Sequence, residues 1–146
     1  MAGGLVEVHW LPEPVVVADE YRLMALRFEQ RQAVMEEALQ VVLANTEKHF
    51  AEEGPEWAPW AESTANDQRV GESILTRSGA LRAGATSHGS YEVNREFILW
   101  TGAAAPSYWR FHWTGTSRMP QRNFIGLDVE GEDEVVAVFD AWMGTL

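Results

Sequence analysis

At 146 residues, 46% of them hydrophobic, the chain is long enough to bury a core as one domain and too apolar to be disordered throughout. Its 22 acidic and 11 basic residues give a net charge of -11, which excludes a general nucleic-acid binder with a basic stripe. It has no cysteine, so disulfides and thiolate chemistry are excluded as well.

The start, "MAGGLVEVHWLPEP", has neither a basic leader nor a long apolar core, which argues against a signal peptide. No apolar run approaches the roughly 20 residues of a membrane helix. The sequence therefore points to a soluble protein made in the cytosol. Two β-prone runs, Leu5–Trp10 and Val15–Val17, are interrupted by Pro12 and Pro14. Residues 1–18 read as an edge strand or an extended arm that reaches a neighbouring subunit.

From Asp19, a plausible N-cap, to about Glu53 the period becomes helical. Met24, Phe28, Met35, Leu39 and Val42 share one face, with Val34, Ala38 and Val41 beside them, opposite Arg22, Glu29, Glu36, Gln40 and Glu47. A face this broad needs a cover. Gly54-Pro55 is the expected stop. Residues 54–71 form a loop in which Trp57 and Trp60 either pin the segment to the body or present a binding platform.

Ser78-Gly79 between Leu75 and Leu81 predicts a short helical turn leading into a strand. "SYEVNREFILW" reads as a hairpin, with strands Ser90–Val93 and Glu96–Trp100 and a turn near Asn94-Arg95. "APSYWRFHWTG" predicts a short helix opening near Pro106. "EDEVVAVFDAWM" predicts a second long helix, with acidic residues in its first turn and Val135, Val138, Phe139 and Trp142 on its apolar side. The fold class expected is α+β: residues 19–146 form one domain, a small antiparallel sheet packed by a long N-terminal helix and a C-terminal helix.

Catalytic patterns are missing from the sequence. His9, His49, His88 and His112 are scattered without metal-ligand spacing, and no nucleophile elbow, phosphate loop or dinucleotide fingerprint occurs. Glu36-Glu37 and Glu52-Glu53 sit where a solvated helix face puts them, and Ser78 has no identifiable base. The expectation is a non-enzyme without metal or cofactor.

The stretch "WTGTSRMPQRNFIG" (113–126) is unusual in an acidic chain: Arg118 and Arg122 flank the Met119-Pro120 step. Proline fixes its own φ and biases Met119 towards extended geometry, so the side chains sit at set angles. Arg122 suits carboxylates across an interface, or an internal clamp to an acid such as Asp128. Both readings stay open. His112, between Phe111 and Trp113, reads as packed or hydrogen-bonded.

The order of "GPEWAPW", "ILTRSGALRAGATS", "ILWTGAAAPSYWRFHWTG" and "RMPQRNFIGLD", followed by a terminal helix, resembles the phage virion morphogenesis, or tail-completion, family over about residues 35–143. The most specific blocks are Met119-Pro120-Gln121-Arg122-Asn123-Phe124-Ile125-Gly126, Ile74-Leu75 and Ser78-Gly79-Ala80-Leu81. Trp109, Trp113 and Asn123 stand where the family pattern favours Ala, Gln and Pro. By position, His112, Gly115, Met119, Pro120, Arg122 and Phe124 mark the family's loop.

The resemblance implies a structural virion protein at the head-proximal end of a phage tail, assembled in the host cytoplasm. It also implies a homo-oligomeric ring, expected as a hexamer, between the tail tube protein and the head–tail connector or stopper, with no membrane partner. DNA would pass through the lumen without specific binding, eased by the acidic charge. The expected contact residues are Met119, Pro120, Arg122, Phe124, Arg118, His112, Trp113, Trp57 and Trp60. The alternatives are a small phage-encoded enzyme or a monomeric binding module built on the Trp-rich loop.

Overall fold

The computed structural model describes residues 14–54, 57–59, 74–75 and 78–145. The run Leu5–Trp10, Trp60 and the "ESTANDQR" segment lie outside them. The described elements are helix α1 (Pro14–Glu29), α2 (Gln32–Ala51), α3 (Ala80–Ala85), a 3-10 turn (His88–Ser90), strands β1 (Tyr91–Val93) and β2 (Ile98–Trp100), α4 (Trp109–Thr114) and α5 (Val129–Gly144). Helices around a small two-stranded antiparallel sheet make the fold α+β, as the sequence implies.

Two boundaries differ from expectation. Val15–Val17 are helical, so residues 14–18 belong to α1 and not to an arm or edge strand, and Asp19 lies inside the helix without capping it. Pro14 stands at the first helical position, where its fixed φ and missing N–H cost nothing. β-branched residues lose only a few tenths of a kcal/mol each in a helix. The expected single helix is also divided: Gln30 and Arg31 form a turn in which the Gln30 amide bonds back to the Arg27 carbonyl at 2.9 Å.

Helix α2 is the spine. It buries Val34, Ala38, Leu39, Asn45, Thr46, His49 and Phe50, and α5, α3 and β1 pack against it. It ends at Ala51, three residues before the expected Gly54 stop; Glu53 and Gly54 both take positive φ, and the Gly54 amide reaches the His49 carbonyl at 2.7 Å.

Polar side chains fix its neighbours. Asn45 donates to Asp128 Oδ1 at 2.9 Å and accepts from the Asp128 amide at 3.1 Å, while Asp128 caps α5 by accepting from the Gly131 amide at 2.8 Å. Lys48 adds bonds to Asp128 (3.1 Å) and Glu130 (2.6 Å). The capping amide, Asn45 and Lys48 together lower the Asp128 carboxyl to about 2. On the other flank Arg82 of α3 grips both carboxylate oxygens of Glu47. Gly84 is required here, because a Cβ would lie 2.5 Å from the Cα of Ala105.

The hairpin forms in the expected place with shorter strands, pairing Tyr91 with Trp100, Glu92 with Leu99 and Val93 with Ile98. Asn94 closes the turn, its Oδ1 accepting from the amides of Glu96 (2.7 Å) and Phe97 (3.0 Å). The core is largely aromatic. Phe50, Ile74, Leu75, Leu81, Ala85 and Phe124 form its buried centre, ringed by Trp57, Trp100, Trp109, Trp113 and Ile125.

Candidate functional site

The loop between α4 and α5 divides into an anchored half and an outward half. Helix α4 stops at Gly115, whose φ of 71° suits glycine and whose absent Cβ would sit 2.9 Å from the Gln121 amide. The chain then folds into a tight tip. Thr116 N donates to Met119 O at 2.8 Å and Met119 N to Thr116 O at 3.3 Å. The Thr116 hydroxyl accepts from the amides of Arg118 (3.2 Å) and Met119 (3.1 Å). Arg118, Pro120 and Gln121 are exposed and Met119 is half-buried.

Beyond Pro120 the chain turns inward. The Arg122 amide donates to the His112 carbonyl at 2.8 Å, tying the segment to α4. The Arg122 side chain is only 5% exposed. Its Nε (3.2 Å) and Nη2 (2.9 Å) both donate to the Ala58 carbonyl, and Nη2 also reaches that of Pro59 at 3.3 Å. Burial lowers the pKa of the guanidinium without removing its charge. Phe124 is fully buried, with the rings of Phe50, Trp113 and Trp100 at 6.0, 5.8 and 6.3 Å between centroids.

The eight expected contact residues that are described therefore do not form one surface. Arg118, Met119 and Pro120 make the tip, whereas Phe124 is a core plug. Trp113 packs on Phe124, and Trp57 stands edge-on to Phe50 at 5.5 Å while its Nε1 donates to the Asn123 carbonyl at 2.9 Å. Trp57 thus pins its segment to the loop. His112 is half-buried, its ring 5.9 Å from that of Tyr108; burial and then the charge of Arg122 lower its pKa. Trp60 lies outside the described residues.

Arg122 is a clamp, but not on Asp128, whose carboxylate is committed to α5, Asn45 and Lys48. Its acceptors among the described residues include the backbone carbonyls of Ala58 and Pro59, which leave no residue-type signal in the sequence. Asn45 does leave one, a lone amide among the apolar positions of α2.

Apolar side chains are exposed on the elements leading to the tip: Phe111 (55%) on α4 and Tyr108 at its start, and Phe97 and Leu99 on the hairpin. Between Trp57, His49 and the segment 121–128 lies a cleft of about 510 Å³. Among the described residues no three His, Asp or Glu side chains gather as metal ligands, and no helix is long and apolar enough to cross a membrane. No protein-family model, curated protein or solved structure matches the chain.

Proposed function

We propose that this chain is a structural virion protein of the tail-completion kind, forming an oligomeric ring at the head-proximal end of a phage tail. The observation that carries the reading is the ordered series of blocks from Ile74 to Gly126, ending in a loop whose tip is held outward by a buried base. A ring subunit needs a short rigid projection that loses little entropy when a neighbour covers it. Arg118, Met119 and Pro120 supply it, with Phe111 and Tyr108 as apolar area beside it. The buried Arg122 and Phe124 hold that projection in place and make no contact across the joint themselves.

In this reading the ring meets the tail tube on one side and the head connector or stopper on the other. The protein catalyses nothing, and the net charge of -11 lets DNA pass the lumen without adhering.

The test is electron microscopy of particles assembled without this chain. Filled heads separated from overlong or unfinished tails are the expected result, and intact virions refute the reading. Complementation with Arg118→Glu plus Met119→Asp should restore a folded protein without restoring joined particles.

A further inference from the structure

Helix α1 carries an apolar stripe that the body leaves exposed. Among the described residues, its ring contact and its hydrogen bond to the body both fall in its last turn: Phe28 lies edge-on to Trp142 at 5.7 Å, and Arg27 donates to the Thr145 carbonyl. Met24, Leu23 and Glu20 line a small groove with Met143, so the stripe begins at the edge of the contact with the body. Val16, Leu23 and Leu26 nonetheless remain 46%, 55% and 51% exposed. The positions Val16, Asp19, Leu23 and Leu26 alternate by three and four residues, the a/d seam of a helix pair. Glu20, Arg22, Arg27 and Glu29 occupy the flanking e and g positions, so the stripe has a charge code beside it.

That code distinguishes between orientations. A parallel pair sets Arg22 against Arg27 of the second helix, two like charges. An antiparallel pair centred between Met24 and Ala25 sets Leu23 against Leu26 and, by symmetry, Leu26 against Leu23. The same register sets Glu20 against Arg27 and Arg22 against Glu29, opposite charges on both flanks. Among the described residues Arg22 pairs with Asp19 of its own helix, at 3.7 Å with both side chains well exposed, a contact cheap to exchange. Arg27 keeps donors beyond the one on Thr145.

We infer that α1 is a self-association surface whose occupant is α1 of a second copy, packed antiparallel about a two-fold axis in this register. The contact is isologous and closes on itself; it does not depend on the tail-ring reading, whose contacts run head to tail. Two short helices bury on the order of 1,000 Å² in total, the low end for a stable dimer, so the association is weak and concentration-dependent.

Sedimentation equilibrium over about 5–500 µM should show the mass rising from 16.4 kDa towards twice that value. Leu23→Glu plus Leu26→Glu, at exposed positions that leave the circular dichroism spectrum unchanged, should weaken the dimer by at least about 100-fold. Arg22→Glu alone should weaken it and Arg22→Glu plus Glu29→Arg should restore it, a rescue that a general loss of helix would not give. Because the chain has no cysteine, Leu23→Cys and Leu26→Cys chains report orientation directly when mixed and oxidised. The antiparallel register predicts that the mixed cross-link forms in excess of either like-with-like product. A chain that stays monomeric to 500 µM, an assembly indifferent to the two glutamates, or dominant like-with-like cross-links would each overturn the inference.

Discussion

Truncating Phe124 separates an anchoring role from a contact role for the loop. Phe124 is fully buried, and its ring is shared by Phe50 from α2, Trp100 from β2 and Trp113 from α4. Phe124→Ala removes a ring that stands beside all three and leaves a void whose walls belong to separate elements. A buried Phe→Ala change costs about 3–5 kcal/mol, and rigid aromatic walls that collapse poorly favour the upper half of that range. Against a total stability of about 5–15 kcal/mol this is about a quarter or more of the fold. For a domain of this size the midpoint should fall by roughly 6–20 °C.

Urea unfolding followed by tryptophan fluorescence and by circular dichroism measures the loss, with Phe124→Leu as the milder companion at well under half the cost. A loss below about 1 kcal/mol for the alanine variant, at an unchanged urea dependence, would refute the placement of Phe124 as the core plug.

Arg122→Ala should destabilise the monomer by about 2–4 kcal/mol, because the Ala58 and Pro59 carbonyls lose their donor, whereas Arg118→Ala should stay within about 0.5 kcal/mol of the parent. Equal effects in chemical denaturation would contradict the division of the loop. Asp128 titrates at about 2 in the folded chain against 3.8 for a free aspartate, so its stabilisation is complete above pH 3.8 and fades as the pH falls towards 2. Asp128→Asn should lower the midpoint at pH 7 and flatten the dependence between pH 4 and 2; a parallel shift at every pH would show that the carboxylate is unperturbed. Gly84→Ala should cost about 1–3 kcal/mol despite alanine's better helix propensity, since the new methyl meets the Ala105 backbone; a stabilised variant in a thermal melt would contradict that close approach.

The parts of the fold legible in the sequence are those governed by period. The apolar faces of α2 and α5 and the alternating hairpin all formed where periodicity placed them. The errors arose where two local preferences competed. Val15–Val17 favour a strand by type, yet Pro14 in front of them favours a helix start, and the helix prevailed. The turn at Gln30-Arg31 has neither glycine nor proline to announce it. The loop 113–126 was identifiable as special from its composition, but its division was not. Arginine with proline nearby fits a joint and a clamp equally well, and the deciding partners were the peptide carbonyls of Ala58 and Pro59. The core role of Phe124 was hidden for the same reason, since its three ring neighbours come from distant stretches.

The paired hydrogen bonds between Thr116 and Met119 have a practical consequence. They close the tip upstream of the buried base, so the two residues between them, Ser117 and Arg118, bear on no core contact. Lengthening that turn costs little, about 0.6 kcal/mol for each doubling of a flexible loop. A peptide tag or fluorophore can therefore be spliced between Ser117 and Arg118 and read by antibody or microscopy while the body stays intact. Such a label would also act as a spacer at the candidate joint, turning the same position into a graded block on whatever surface comes to rest there.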